Sequence, residues 1–391
     1  MNEKERMKKA LSGNTPDQVP IGFFYNCDYK AKCAGISPQA YIFGTNEDRY
    51  RAMAATYQRH REDWIHTDPG ISFEWESKHK IVWDNNLAYV ETTDSRQRDL
   101  IRMDLTLESA RERSHGPGLD YGYSFIKLDK PLEKIRNEKE LESTEIRSAE
   151  ELINGGFLDP PLRLVESFGD RLFITLPMGN IFFNSVYFFG LEEGLLSTLM
   201  KPTFFKALLE LNTAQELEVV KAAGQIGLDG IWLAEMLISA DIVSPRVYKE
   251  MIAPLHRQIV QEASRMGLKT IAYLTGDCLP LLNDARNVGY DGVIVENQDK
   301  RGGQIDIAEV RARIGPEICV FGNLDPVELL TSGDDQAVRQ EVKRQIYAAG
   351  QDGAFVMHSN IISLPVTMER IDQVIKFTRE YGQYPLRREI N

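Results

Sequence analysis

Cysteine and histidine are both scarce in this chain, four and six in 391 residues. Cys27, Cys33, Cys278 and Cys319 are scattered apart from one pair, and no spacing matches a disulfide framework or a zinc knuckle. They read as free thiols in a reducing cytoplasm, with Cys27 and Cys33 as two independent thiols rather than a redox couple. Long apolar runs are missing as well. None approaches the roughly 18 residues of a membrane span, and the opening MNEKERMKKAL has no apolar signal core. The expectation is a cytoplasmic protein with no membrane partner. Positive charge is in deficit: the net charge is −12, with no basic cluster and interleaved aromatics to offset it. That argues against nucleic acid as a partner. Glycine-rich phosphate loops are absent, Gly302-Gly303 being a turn, and there is no Gly-x-Ser-x-Gly elbow and no Ser–His–Asp order.

What the chain does have is a repeat. Gly227 to Met236 reads GLDGIWLAEM, Gly289 to Asn297 reads GYDGVIVEN, and Gly350 to Asn360 reads GQDGAFVMHSN. Each is a helix end, a tight turn and a short buried strand that stops at a polar residue. The copies are 62 and 61 residues apart. A strand–helix pair takes about 30 residues, so the repeat marks every second strand of a parallel array. Thr270–Gly276 and Ile318–Asp325 are the strands between. Gln18–Phe24, Trp64–Asp68 and Leu172–Met178 bring the count to eight. The fold class is α/β, a (β/α)8 TIM barrel spanning residues 1–391 as one domain. An inserted β-containing segment follows strand 2, at residues 70–160. There His79–Trp83 and Leu87–Thr92 alternate as antiparallel strands do, and Arg96–Gly122 is polar. Separate helices are expected over Pro202–Leu211 and Ala214–Ala223, and another from Ser244-Pro245 to Ile252, before Pro254.

In such barrels the active site lies at the C-terminal ends of the strands. The residues there are Asp28, Asp68, Asn180, Glu235, Asp277, Glu296, Asn297, Asn323, Asp325, His358 and Asn360, an acidic and amide-rich ring that Lys300 and Arg301 come closest to balancing. Converging carboxylates repel, so some must be protonated or share a cation. Asp277 and Asp325 read equally as helix N-caps. Glu235 ends the strand IWLAE with no helix start beside it. His358 reads as a catalytic group or as a satisfied core histidine. Glu235, Glu250, Asp277 and Cys278 are the candidate metal ligands, zinc being the metal such donors suit. The aromatic run Phe182, Phe183, Tyr187 is core or a substrate wall.

Several segments resemble the uroporphyrinogen decarboxylase superfamily, which also contains the corrinoid-dependent methyltransferases. ERMKKALSGNTPDQVPIGF (from Glu5) looks like its entry helix and first strand, and LPVTMERIDQVIKFTREYG (from Leu364) like its last loop and helix. Ser244-Pro245, Tyr248, Pro254 and GNLDP at Gly322–Pro326 match its signatures. AKCAGIS (from Ala31) is similar to the methyltransferase version. The resemblance implies a (β/α)8 barrel, and barrels of this kind often pair as homodimers. Asp68 matches the decarboxylase acid after strand two. Yet FFYNCDYKAK (from Phe23) lacks that branch's arginine, and Ile361 and Ile362 stand near its histidine position. Thiol-directed methyltransferases carry His-x-Cys-Gly at strand five; here it is Tyr273-Leu274-Thr275-Gly276, and their late cysteine is missing. Glu235 and Glu250, fourteen residues apart in between, reproduce the pair of the methyltransferases that demethylate aromatic methyl ethers, without the histidine expected near Ile271. The resemblance therefore implies a methyltransferase working with a separate corrinoid protein, in O-demethylation or related chemistry. Glu235, Tyr273, His358 and Asp68 are the candidate catalytic residues. Tyr25, Asn180, Phe182, Phe183, Tyr187, Glu296 and Asn323 are the candidate substrate contacts. The alternatives are a decarboxylase acting on a carboxylic acid and a non-catalytic accessory subunit.

Overall fold

The Gly-x-Asp-Gly turns do two jobs in this computed structural model, which describes residues 1–85, 87–100, 138–142, 144–178 and 180–386. The glycine supplies a left-handed corner, at Gly227 (φ +82°) and Gly289 (φ +94°). The aspartate reaches sideways to the neighbouring strand. Asp229 accepts the Ile174 N–H at 3.2 Å and Asp291 accepts the Thr270 N–H at 2.8 Å. These two turns thus pin their own strands and the feet of the preceding ones.

Seven parallel strands follow the order β1-β5-β6-β7-β8-β9-β10. They are β1 (Trp64–His66), β5 (Phe173–Met178), β6 (Gly230–Leu233), β7 (Lys269–Leu274), β8 (Gly292–Val295), β9 (Cys319–Phe321) and β10 (Phe355–Val356). Helices return between them, so the sheet is covered outside by helices and curls around an inner cluster that includes Trp64, Phe173, Trp232, Ile271, Tyr273, Ile294 and Phe321. From the N-terminal helix Glu3–Ala10, Met7 and Ala10 join that cluster at its foot. An antiparallel sheet of β2 (His79–Asp84), β3 (Leu87–Thr92) and β4 (Arg98–Leu100) stands apart, with the pairing expected of the alternating runs. Beyond residue 100, the predicted polar stretch to Gly122 lies outside the described residues.

The segment Gln18–Phe24, read as the first strand, is not a regular one. Toward β10 it pairs by backbone: Gly22 N–H donates to Met357 and the Met357 N–H donates to Pro20. Toward β1 it meets side chains. Ile21 N–H goes to Asp63 Oδ2 at 2.8 Å and Phe23 N–H to Glu62 Oε2 at 2.9 Å. Two carboxylates thus take the place of a strand's carbonyls, and Pro20 has no N–H to offer.

Two helix boundaries also differ from expectation. Pro202–Gln225 is one helix rather than two. Asn212 and Thr213 look like a break, but their side chains donate back to the carbonyls of Leu208 and Leu209 and the helix runs on. The chain does not stop at Pro254 either. A π-helical turn, Tyr248–Ile252, carries it into the helix Ala253–Arg265. Proline sits in the first turn of that helix, where a missing N–H is tolerated.

Arg6 binds Asp63 and Asp17, and both Arg6 and Asp63 are buried. Arg6→Met leaves the Asp63 carboxylate buried without its cation. The expected loss is about 3–5 kcal/mol in urea unfolding; a loss under about 1 kcal/mol means that Arg6 does not hold the seam.

Candidate active site

Alternation along the first two staves decides what faces the inside. Phe23 and Tyr25 turn outward to the helices, whereas Phe24 turns inward. In β1, Trp64 and His66 turn inward and Ile65 outward. The Phe24 ring packs on His66 (4.7 Å between centroids) and on Trp232 (4.9 Å). His66 lies 4.5 Å from Trp232, and Trp232 lies 5.7 Å from Tyr273. His358 joins through Trp64 and Phe321. The strand ends therefore share a floor of aromatic rings.

Four buried polar atoms on or just past three neighbouring strands have no protein partner. They are both ring nitrogens of His66 on β1, Nε1 of Trp232 on β6, and Oδ1 of Asn180, which follows β5 at the head of the helix Ile181–Tyr187. Burial pushes His66 down to about 3, so its ring is neutral. Beside it Lys30, 3% exposed, pairs with Asp68 at 2.5 Å, and the Tyr41 hydroxyl donates to the same carboxylate. Although burial opposes it, Lys30 holds Asp68 down at about 2, so this acid is ionised.

The other predicted residues divide between those at the floor and those committed elsewhere. Tyr273 is buried and donates to Glu296 at 2.8 Å, with burial and that carboxylate holding its hydroxyl protonated. Glu296 also accepts the Gly276 N–H and Lys300. Glu235 is engaged instead as a cap: it accepts the N–H groups of Phe182 (2.8 Å) and Phe183 (3.1 Å) and faces His256. His358 takes its core alternative. One nitrogen donates to the Gly22 carbonyl at 2.6 Å, the other lies 2.8 Å from Asn360 Oδ1, and burial pushes the ring down to about 4. Tyr25 is not brought to the floor. Its hydroxyl donates to Glu62 and its ring stacks on Tyr29. Phe182 packs on Phe205 in the outer core, while Phe183 and Tyr187 stack on each other half-buried. The Asn323 amide donates to two backbone carbonyls, and Asp325 caps the turn at Val327 and Glu328.

The predicted metal ligands do not fit a zinc ion. Each oxygen of Glu235 accepts a backbone N–H, Glu250 pairs with Arg246 on the surface, and Cys278 is fully buried with its thiol pushed up to about 12. Among the described residues no three His, Cys, Asp or Glu side chains come together as a metal site. A tyrosine where a zinc ligand would stand at β7, hydrogen-bonded to Glu296, agrees with this.

His66, Trp232, Phe24 and Lys30 are the site residues that strand-end reasoning passed over. The inward alternation of Trp64 and His66 was the available signal for the first. Lys30 lies in FFYNCDYKAK, a segment marked in the sequence by its lack of arginine.

A curled parallel sheet whose strand ends meet over one floor is the architecture of an α/β protein with its site at the C-terminal edge. The family described as uroporphyrinogen decarboxylase (URO-D) matches residues 163–381, more than half of the chain, and this chain belongs to it. A uroporphyrinogen decarboxylase of Gloeobacter violaceus is 33% identical over 129 residues, 32% of this chain and 34% of that protein. A methylcobamide:CoM methyltransferase of Methanosarcina barkeri is 24% identical over 185 residues, 47% of this chain and 51% of that protein. The chain thus matches about a third to a half of the length of these curated relatives. A solved methyltransferase from Methanosarcina mazei shares the fold, with a TM-score of 0.68 at 16% identity over 97% of this chain and 99% of that one. Among the described residues no helix is long and apolar enough to cross a membrane.

Two buried groups shift in opposite senses, which gives a pH test. His66 stays neutral when folded but takes a proton near 6.5 when unfolded, so its contribution is lost as pH falls from about 6.5 toward 3. Burial pushes Glu62 up from 4.5 to about 8, so its contribution is full below 4.5 and is lost as pH rises to 8. On acidification below 6.5 the wild type should lose stability faster than His66→Phe, by up to about 1.4 kcal/mol per pH unit. Glu62→Gln should remove the loss that the wild type shows between pH 5 and 8. Parallel urea-midpoint profiles for wild type and variants would contradict both assignments.

Proposed function

We propose that this protein moves a methyl group between a small, partly apolar substrate, aromatic methyl ethers being one such class, and a corrinoid held by a separate protein. We take the curled sheet to close as a (β/α)8 barrel with Gln18–Phe24 as its eighth stave. Residues 70–160 are an insertion within that one domain, and the protein works in the cytoplasm with its four cysteines free.

The observation that supports the reading best is the floor itself. Phe24, Trp64, Trp232, Tyr273 and Phe321 present rings, and the histidine among them is neutral. An octa-anionic porphyrinogen needs cations at that place. Among the described residues Lys30, beside this floor, is already bound to Asp68, and Lys300 to Glu296. Relatives that carry the methyltransferase name add to the support.

In the direction of ether cleavage, the O–CH3 bond breaks and its electron pair stays on oxygen. The corrinoid, on its carrier, supplies the electron pair that accepts the methyl group. The chain's part is to seat the ether on the aromatic floor, exclude water and stabilise the departing oxygen. Tyr273 is suited to the last of these: its hydroxyl turns from Glu296 to the leaving oxygen and donates a hydrogen bond there. Glu235 acts at one remove by holding the head of the helix that carries Phe183 and Tyr187. Asp68, ionised by Lys30 and Tyr41, shapes the rim and does not deliver a proton.

A decarboxylase acting on a smaller carboxylic acid is the second reading, favoured by Lys30 beside the floor. The two separate cleanly. With a reduced corrinoid protein and a panel of methyl ethers, alcohols and amines, we expect cobalt methylation followed by its absorbance. Tyr273→Phe should slow it about a hundredfold. Release of carbon dioxide from carboxylic acids, with no methylation across the panel, would overturn the reading.

A further inference from the structure

The unpartnered atoms at the floor have a specific complement. Burying a hydrogen-bonding group without a partner costs about 1–3 kcal/mol, and such atoms in a native interior call for an explanation. Here they share one place. Both nitrogens of His66 and Nε1 of Trp232 are shut off from solvent and meet no protein donor or acceptor, on rings 4.5 Å apart. His66 is 5% exposed and Trp232 3%.

Their chemistry narrows the ligand. Indole offers only a donor. A neutral imidazole offers one N–H and one lone pair. A carboxylate could accept from the N–H groups, but it would add a charge to an aromatic floor whose neighbouring Lys30 is already bound to Asp68. An ammonium group, with donors alone, would leave the indole N–H stranded. A hydroxyl group meets two of the three: its oxygen accepts from the Trp232 N–H and it donates a hydrogen bond to the imidazole lone pair. A methyl ether oxygen accepts from the two N–H groups. Phe24 and Tyr273 pack on Trp232, and Trp64 packs on His66, so the neighbours of the pair suit a flat apolar body attached to that oxygen.

We propose that His66 and Trp232 form the oxygen-recognition pair of this site, and that its ligand is a neutral phenol or alcohol and the corresponding methyl ether. Phe24 covers the pair. It lies against both rings and is only partly buried, so it is the side chain that turns aside when the ligand enters. The proposal rests on the methyl-transfer reading for its biological sense, but binding alone tests it.

The test titrates the full-length protein, without any corrinoid protein, with 2-methoxyphenol, phenol and benzoate, followed by calorimetry. Saturable binding of the two neutral probes is expected, with benzoate at least tenfold weaker. His66→Phe and Trp232→Phe should each weaken the neutral probes about tenfold, the size of one lost hydrogen bond. Ring-nitrogen NMR of wild-type protein with labelled histidine covers the case in which a variant fails to fold. The His66 signals should shift when 2-methoxyphenol is added. Unchanged His66 signals, unchanged affinity in both variants, or tighter binding of benzoate would each overturn the proposal. Tight binding through this pair without cobalt methylation would leave the proposal standing and remove the methyl-transfer reading.

Discussion

Two adjacent acidic side chains, Glu62 and Asp63, close the seam between the segment Gln18–Phe24 and β1. The segment Gln18–Phe24 has a backbone partner on the β10 side, but toward β1 its Ile21 and Phe23 N–H groups end on side-chain oxygens. Backbone donors buried without partners are costly, so the seam depends on those two acids being where they are. Arg6 supports Asp63 from below, and the Tyr25 hydroxyl supports Glu62 from outside. The same device, an aspartate before a strand bonding to the foot of the preceding strand, recurs at Asp229 and Asp291.

What the seam fixes is register. Side chains alternate with a period of two, so a slip of one residue would exchange Phe24 for Tyr25 on the inner face. With the observed register Phe24 comes to rest against His66 and Trp232, and Tyr25 is stacked outside with Tyr29. The aromatic floor is therefore a consequence of how the first two staves are tied. Charged groups are kept at its rim, each with its own partner: Asp68 with Lys30, Glu296 with Tyr273 and Lys300, Glu235 with the head of a helix.

Much of the architecture was legible from spacing. The Gly-x-Asp-Gly period placed β6, β8 and β10, and the alternating runs at His79 and Leu87 became an antiparallel pair. The site was less so, for a physical reason. Acids at strand ends are visible in a sequence, but whether each is free or already spent depends on donors far away in the chain. Glu235 is satisfied by the backbone of Phe182 and Phe183, which no local pattern shows. Lys30 and Asp68 lie thirty-eight positions apart and meet only in the fold. His66 was hidden in the opposite way: it sits one turn of the pleat below the acid that drew notice, and its importance lies in having no protein partner.

The central claim is that the strand ends form one aromatic floor with a neutral oxygen-binding pair, and not a metal centre. A crystal structure of the protein soaked with 2-methoxyphenol, grown with zinc in the medium, tests it most directly. The account predicts the ligand's oxygens within hydrogen-bonding distance of His66 and Trp232 Nε1, with Phe24 displaced and no metal at Glu235, Asp277 or Cys278. Zinc on those residues, or a floor that stays closed with the ligand bound elsewhere, would contradict it.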